Sequence, residues 1–222
     1  MYSYCPHKII PKYMSQFSEK LFQAVPIVGI LRGYPKATTL NIVDAYYQAG
    51  FTTIEITMNT PQVAEIISAI TAKYNGKLNV GAGTVCNEAE LDIALAAGAQ
   101  FIVSPIVDIS LIKKCKSLGI PVFPGAFTPT EIYQAWTAGA RMVKLFPANT
   151  LGPKYVKNVL APLNDIEIMP TGGVSLENIE AYKKMGAKAF GMGGLLFDKG
   201  LIAAEDWDGL KKKLTVVKAA II

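Results

Sequence analysis

Lys144 lies within a short apolar segment, where a charged side chain is unusual. Its neighbours in that segment are Met142, Val143, Leu145, Phe146 and Pro147. Burial there disfavours the ammonium form and lowers the pKa of the amine. A neutral amine is a nucleophile, and a carbonyl group is its natural electrophile. The pattern therefore predicts a lysine that forms a Schiff base, with a lysine that extends from a strand edge to water as the alternative.

Two further ionisable residues share this kind of setting. Glu55 lies between Ile54 and Ile56, and Arg32 ends another apolar segment. Burial raises the pKa of a carboxyl group and suits it to proton transfer near neutral pH, whereas a charged lysine nearby lowers that pKa. We expect Glu55 to act as a general acid/base, the alternative being a structural ion pair with Arg32 or Lys144.

Glycine clusters follow the last two apolar segments, as PTGGV at 170–174 and GMGGLL at 191–196. Glycine lets a ligand approach the backbone closely. In barrel enzymes the loops after the seventh and eighth strands commonly bind phosphate through backbone N–H groups. A glycine pair often only forms a turn, but two clusters at these two positions favour a phosphate site.

The sequence offers little for metal binding. Its one histidine, His7, is near the N-terminus, and zinc-dependent chemistry needs several imidazole ligands. A Ser-His-Asp triad cannot be assembled around that histidine either. We expect neither a metal ion nor an organic cofactor. Cys86 follows the third apolar segment, where a packing role is the simpler interpretation.

The segments that carry these residues repeat one pattern: a short β-branched run, a turn and an amphipathic helix. The predicted strands are 26–31, 52–58, 79–85, 101–105, 121–127, 142–147, 167–173 and 189–194. Such alternation gives parallel pairing, and eight units close into an α/β fold of the (β/α)8 TIM-barrel type. Residues 15–24 predict an extra N-terminal helix. The alternative is an open doubly wound sheet, but LRGYP (31–35) stands where its glycine-rich fingerprint should be.

Composition bounds the possible classes of protein. The chain has 222 residues, 51% of them hydrophobic, and a net charge of +5. Because no linker-like segment divides it, we expect residues 1–222 to form a single domain. We expect no transmembrane helix, and residues 1–15 lack the apolar centre of a secretory signal. The cysteines have no CxxC spacing, which fits a cytoplasmic location, and there is no nucleic-acid-binding motif.

A series of motifs along the chain resembles the KDPG/KHG aldolase family. These class I enzymes cleave 2-keto-3-deoxy-6-phosphogluconate to pyruvate and glyceraldehyde 3-phosphate, or 4-hydroxy-2-oxoglutarate to pyruvate and glyoxylate. The motifs are ILRG (30–33), IEIT (54–57), VGAGTV (80–85), FIVSP (101–105), PGAFTPTE (124–131), KLFPA (144–148) and PTGGV (170–174). They occur in the family's order over residues 26–194, which makes the set specific although no single motif is.

The resemblance implies roles for individual residues. Lys144 matches the Schiff-base lysine, Glu55 the general acid/base, and Arg32 a ligand of the substrate carboxylate. The pyruvate end of the pocket would be lined by Thr84, Pro105, Phe146 and Thr171. The phosphate would bind the backbone of Gly172, Gly173, Gly193 and Gly194. Family members are typically homotrimers, so the resemblance also implies a homotrimer.

One position departs from the family pattern. Some members have an arginine four residues after the glutamate, where this chain has Asn59. Arg32 fits another branch, which supplies its arginine from the end of the first strand. Asn59 also resembles relatives that act on 2-keto-3-deoxy-6-phosphogalactonate. That galactonate is therefore an alternative substrate, and a phosphate-binding barrel without aldolase activity is a further alternative.

Overall fold

The computed structural model describes residues 16–222, so Cys5, His7 and the expected absence of a secretory signal lie outside it. Every strand pairing in the described residues is parallel. Parallel strands are covered on both faces, which explains their nearly continuous apolar sequences. The strands are β1 (Ile27–Leu31), β2 (Thr53–Thr57), β3 (Asn79–Gly83), β4 (Ile102–Val103), β5 (Val122–Phe123), β6 (Gly125–Ala126), β7 (Val143–Leu145), β8 (Ile168–Pro170) and β9 (Phe190–Met192).

Each predicted strand contains an observed one, and the fifth is divided at Pro124 into β5 and β6. The strands form a six-stranded sheet, β5-β4-β3-β2-β1-β9, and a three-stranded sheet, β6-β7-β8. A further parallel bridge pairs Thr171, directly after β8, with Gly191 in β9. The predicted α/β class with parallel strands is therefore confirmed.

Helices follow the strands because the connecting segments carry clear start signals. The Thr128 side chain accepts a hydrogen bond from the Glu131 N–H in a capping box, with Pro129 in the first turn of its helix. In residues 16–222, no helix has the length and apolar character needed to cross a membrane. The helices are α1 (Glu19–Ala24), α2 (Lys36–Gln48), α3 (Val63–Lys73), α4 (Glu88–Ala96), α5 (Ile109–Ser117), α6 (Pro129–Ala138), α7 (Ala148–Leu151), α8 (Pro153–Leu160), α9 (Ile179–Lys184), α10 (Lys199–Ala203) and α11 (Trp207–Ile221).

The predicted N-terminal helix is observed as α1, which packs at the N-terminal ends of the strands. Phe22 of α1 lies 5.7 Å from the Phe123 ring, within a cluster of buried side chains separate from the main core. Arg141 holds the helix through two hydrogen bonds to the Glu19 carboxylate, of 2.7 and 3.0 Å. This end of the strands is thus filled by side chains, and the opposite end carries the cavity described next.

Candidate active site

A cavity of about 490 Å³ lies at the C-terminal ends of the strands. The structure brings all the predicted site residues except Glu55 to its wall: Arg32, Thr84, Pro105, Lys144, Phe146, Thr171, Gly172, Gly173, Gly193 and Gly194. These residues belong to the ends of six different strands, so folding alone makes them neighbours. Sequence analysis missed the remaining lining residues, which contribute apolar or backbone surface: Ile30, Val174, Gly191, Met192 and Leu195.

Lys144 is the central residue of β7, and its side chain is 6% exposed. It pairs in register with Gly125 of β6 and Met169 of β8. Burial lowers the pKa of its amine, and the positive charge of Arg32 acts in the same direction, whereas Glu55 opposes both. The amine also lies 4.9 Å from the centre of the Phe146 ring, a contact that favours the ammonium form. Burial remains the largest influence, so Lys144 is a better nucleophile at neutral pH than an ordinary lysine.

Glu55 lies in the middle of β2 and is 1% exposed. Burial raises the pKa of its carboxyl group, while the positive charges of Lys144 and Arg32 lower it. Its Oε2 atom is buried and has no hydrogen-bond partner among the described residues. A buried acceptor without a partner is costly, and such atoms concentrate where function requires them. The unpartnered atom marks Glu55 as a candidate functional residue, although Glu55 does not itself line the cavity.

Gly83 provides the space that the Glu55 carboxyl group occupies. A Cβ atom built at Gly83 would overlap Glu55 Oε1 and lie 2.6 Å from Glu55 Cδ. Gly191 does the same for Thr171, because a Cβ atom there would overlap the Thr171 hydroxyl. Gly191 belongs to the predicted glycine cluster at 191–196, but this packing role was not predicted for it, and Gly83 was not predicted to belong to the site. A glycine within a strand can signal a close approach of this kind, and that signal was present in VGAGTV.

Arg32 stands at the rim of the cavity, directly after β1. Its Nη2 atom donates a hydrogen bond of 3.3 Å to Thr84 Oγ1. Thr84 has a φ angle of 58°, which is uncommon for a β-branched residue. Backbone conformations of this kind cluster at ligand-binding sites. The geometry thus places a guanidinium group and a hydroxyl group side by side on one wall.

The predicted glycine loops, which follow β8 and β9, form another part of the lining. Gly172 and Gly173 have φ angles of 90° and 74°, which side-chain-bearing residues rarely adopt. Their carbonyl oxygens accept hydrogen bonds from the Asn149 N–H at 3.0 Å and from Asn178 Nδ2 at 2.8 Å, respectively. The Gly193 carbonyl accepts from two N–H groups of the following turn. Protein donors therefore fix both loops through their carbonyl groups.

Metal-ligating clusters are not a feature of this region. Within residues 16–222, no group of three or more His, Cys, Asp or Glu side chains is placed to hold a metal ion. Cys86 is half-buried, and its thiol donates to the Thr84 carbonyl at 3.6 Å. Burial raises the pKa of that thiol, as does the nearby Glu90 carboxylate. The thiol therefore favours its neutral form, which fits a packing role.

Comparison with known proteins gives consistent matches. Residues 18–213 match the family described as KDPG and KHG aldolase. A 2-dehydro-3-deoxy-6-phosphogalactonate aldolase of Escherichia coli (strain K12) is 37% identical over 177 residues, which cover 79% of this chain and 86% of the relative. A 2-dehydro-3-deoxy-phosphogluconate aldolase of Haemophilus influenzae is 32% identical over 196 residues, covering 87% and 91%. A solved structure described as native KDPGal has a TM-score of 0.80 at 32% identity, and the match covers 94% of this chain and 95% of that one.

The contact between Gly83 and Glu55 yields a prediction. We expect Gly83→Ala to lower the free energy of unfolding by about 1–3 kcal/mol, because the new methyl group must displace the buried carboxyl group. Gly194→Ala is the matched control, since a Cβ atom there meets nothing within 4 Å. We expect that control to stay within about 0.5 kcal/mol of the parent protein in urea unfolding. Equal losses in both variants would contradict the assigned role of Gly83.

Proposed function

This chain belongs to the KDPG and KHG aldolase family, whose members are carbon–carbon lyases, and from that premise we propose that it cleaves a phosphorylated 2-keto-3-deoxy sugar acid through a Schiff base on Lys144. The observation that carries the proposal is the buried amine of Lys144 in the wall of the cavity. Burial lowers the pKa of that amine, which is the condition for attack on a ketone near neutral pH.

In the proposed reaction the Lys144 amine attacks the keto carbon of the substrate to give a carbinolamine. Loss of water then gives an imine, whose protonated form withdraws electrons from the adjacent carbon–carbon bonds. Glu55 removes the proton from the hydroxyl group on the fourth carbon. The bond between the third and fourth carbons breaks, an aldehyde leaves, and the electron pair remains as an enamine. Protonation of the enamine and hydrolysis of the imine release pyruvate and restore the free lysine.

Two properties of Glu55 support its role in this scheme. Its raised pKa brings the carboxyl group closer to neutral pH, where both uptake and release of a proton are efficient. Its buried Oε2 atom has no hydrogen-bond partner among the described residues, and in this scheme the proton of the substrate hydroxyl reaches it directly or through one water. In this scheme the same group also returns the proton to the enamine.

The remaining lining residues are assigned to the two ends of the substrate. Arg32 and Thr84 would bind the carboxylate, because a guanidinium and a hydroxyl group supply donors that match it. Pro105, Phe146 and Thr171 would enclose the pyruvate part. The backbone N–H groups of residues 172–173 and 193–194 would bind the phosphate. Protein donors already occupy the carbonyl groups of Gly172, Gly173 and Gly193, which supports this orientation.

Two epimers compete as the substrate. We propose that the enzyme acts on 2-keto-3-deoxy-6-phosphogluconate or on its galactonate epimer, with 4-hydroxy-2-oxoglutarate as a smaller substrate of the same chemistry. The galactonate is supported by Asn59 and by the 37% identity to a phosphogalactonate aldolase, although a phosphogluconate aldolase of Treponema pallidum is nearly as similar at 36%. The gluconate follows from the motifs of the family as a whole.

We also infer that the two sheets are parts of one eight-stranded barrel, in which β5 and β6 count as one strand interrupted at Pro124. Only Pro124 separates β5 from β6, which are the edges of the two sheets. The bridge between Thr171 and Gly191 joins the other two edges, β8 and β9. Links at both edges are what closure into a (β/α)8 barrel requires. The single domain over residues 1–222, the cytoplasmic location and the homotrimer stay predictions.

Trapping tests the Schiff base directly. Incubation with pyruvate and sodium borohydride, followed by intact-mass measurement and peptide mapping, should give a reduced pyruvate adduct on Lys144. The adduct should be absent in Lys144→Ala and retained in Lys188→Ala, in which an exposed lysine is removed instead. If no lysine of the parent protein is modified, the Schiff base is excluded. The protein would then be better interpreted as a phosphate-binding barrel without aldolase activity.

A second prediction concerns the glutamate. Glu55→Gln should lower the rate of cleavage by roughly 100-fold or more and still allow trapping of pyruvate on Lys144, because a general base is removed without touching the nucleophile. A base must be deprotonated to act, so the parent rate should fall as pH drops through the raised pKa of Glu55. Lys144 must also lose its proton to attack, so we expect the acid limb of Glu55→Gln to change in shape and position rather than vanish, and to be unaltered in the exposed control Glu65→Gln. An unchanged acid limb in Glu55→Gln would assign the base elsewhere.

Steady-state assays with both epimers decide the substrate. We expect kcat/KM to differ by about 10-fold or more between the gluconate and galactonate phosphates, since a site that binds the hydroxyl on the differing carbon leaves its own polar groups unpaired with the wrong epimer. A preference for the galactonate would support the interpretation of Asn59. Equal values for the two epimers would contradict a pocket that distinguishes them.

A further inference from the structure

The segment that carries Arg32 is a short turn between β1 and α2. A hydrogen bond to a residue outside the turn fixes its backbone. The Gly33 N–H donates a hydrogen bond of 3.0 Å to Thr60 Oγ1. Gly33 has a φ angle of 77°, so the chain reverses direction directly after Arg32. The Arg32 side chain is exposed at the rim, and its position therefore depends on how firmly this backbone is fixed.

Thr60 is suited to fix it because it is buried and hydrogen-bonded on two sides. It is 4% exposed, and its hydroxyl lies 3.2 Å from the Thr57 hydroxyl at the end of β2. The Thr60 N–H also donates to the Thr57 carbonyl at 2.9 Å. Glu55 occupies the same strand two residues earlier. The turn that carries the guanidinium group is thus tied to the strand that carries the carboxyl group.

A second link completes a ring around Arg32. The Met58 N–H donates a hydrogen bond of 2.7 Å to the Gly83 carbonyl. Thr84, the next residue, accepts the hydrogen bond from the Arg32 guanidinium. Thr60 therefore fixes the backbone directly after Arg32, through the Gly33 N–H, and Thr84 contacts the Arg32 side chain. The segments that contain Thr60 and Thr84 are themselves joined by the hydrogen bond from Met58 to Gly83. Thr60 itself is not part of the cavity wall.

We propose that Thr60 is a positioning residue for recognition of the substrate carboxylate, acting through the Gly33 N–H to set the place of Arg32. The inference rests on the proposed function, in which Arg32 binds that carboxylate. A hydroxyl group at this position affects how tightly an α-keto acid binds and leaves the chemistry at Lys144 unchanged. Loss of the acceptor leaves the Gly33 N–H unpaired and frees the turn.

The test measures borohydride trapping on Lys144 as a function of pyruvate concentration, which needs no knowledge of the aldehyde product. For Thr60→Val the half-saturating pyruvate concentration should rise roughly 3- to 10-fold with an unchanged maximal trapping rate. Thr60→Ser, which keeps the hydroxyl group, should restore the parent value. Thr53→Val is the matched control, because Thr53 is buried at the start of β2 and its hydroxyl accepts a hydrogen bond of 3.2 Å from Asn79 Nδ2, away from the turn that carries Arg32.

A double-mutant cycle asks whether the effect passes through Arg32. Arg32→Met should raise the half-saturating concentration, and Thr60→Val should add nothing further in that background. Thermal unfolding verifies that each variant is folded, and Thr60→Ala replaces Thr60→Val if the latter is not. An effect equal to that of Thr53→Val, a full additive effect in the Arg32→Met background, or a lower maximal rate would overturn the role of Thr60. Absence of trapping in the parent protein would instead overturn the proposed function, and this inference with it.

Discussion

The burial of one amine and one carboxyl group within parallel strands is the constraint on which the rest of the site depends. Water stabilises both charges, and the interior of the protein does not, so burial pushes the pKa of Lys144 down and that of Glu55 up. Each group also favours the charged form of the other. Burial thus shifts the pKa of each group towards neutral pH and the opposite charge limits that shift, which is the direction that the proposed Schiff-base chemistry needs.

Placing these groups in the interior requires space, and glycine supplies it. The interior is closely packed, so a functional side chain on one strand needs the space that a side chain on the adjacent strand would otherwise fill. Gly83 leaves room for the Glu55 carboxyl group, and Gly191 for the Thr171 hydroxyl. These glycines cost conformational entropy on folding and pack no side chain of their own. The space left by these two glycines is therefore as necessary to the site as the side chains that occupy it.

The rim of the cavity is organised differently from its interior. Lys144 and Glu55 belong to strands and are placed by register, whereas Arg32 and Thr84 lie on the loops that follow strands. Those loops are fixed by hydrogen bonds between buried groups, among them the Thr60 hydroxyl and the Gly83 carbonyl. Loops position side chains less precisely than strands do, so such supporting hydrogen bonds matter most at the rim. In the proposed function, recognition of the substrate's charged ends would therefore depend on contacts between loops.

The alternation of strands and helices could be predicted from the amino-acid sequence, because the spacing of apolar residues and the positions of turn residues are local properties of the chain. The sequence also indicated Lys144, Glu55 and the glycine clusters, since charged or glycine residues inside apolar runs are locally anomalous. Only the tertiary structure revealed the roles of Gly83, Gly191 and Thr60. A glycine within a strand can signal that something approaches closely, but the residue that does so comes from a strand or loop distant in sequence, and no pattern along one segment identifies it. The extent of burial, which is the largest influence on the pKa values of Lys144 and Glu55, also depends on the tertiary structure, because desolvation depends on every element packed around a group.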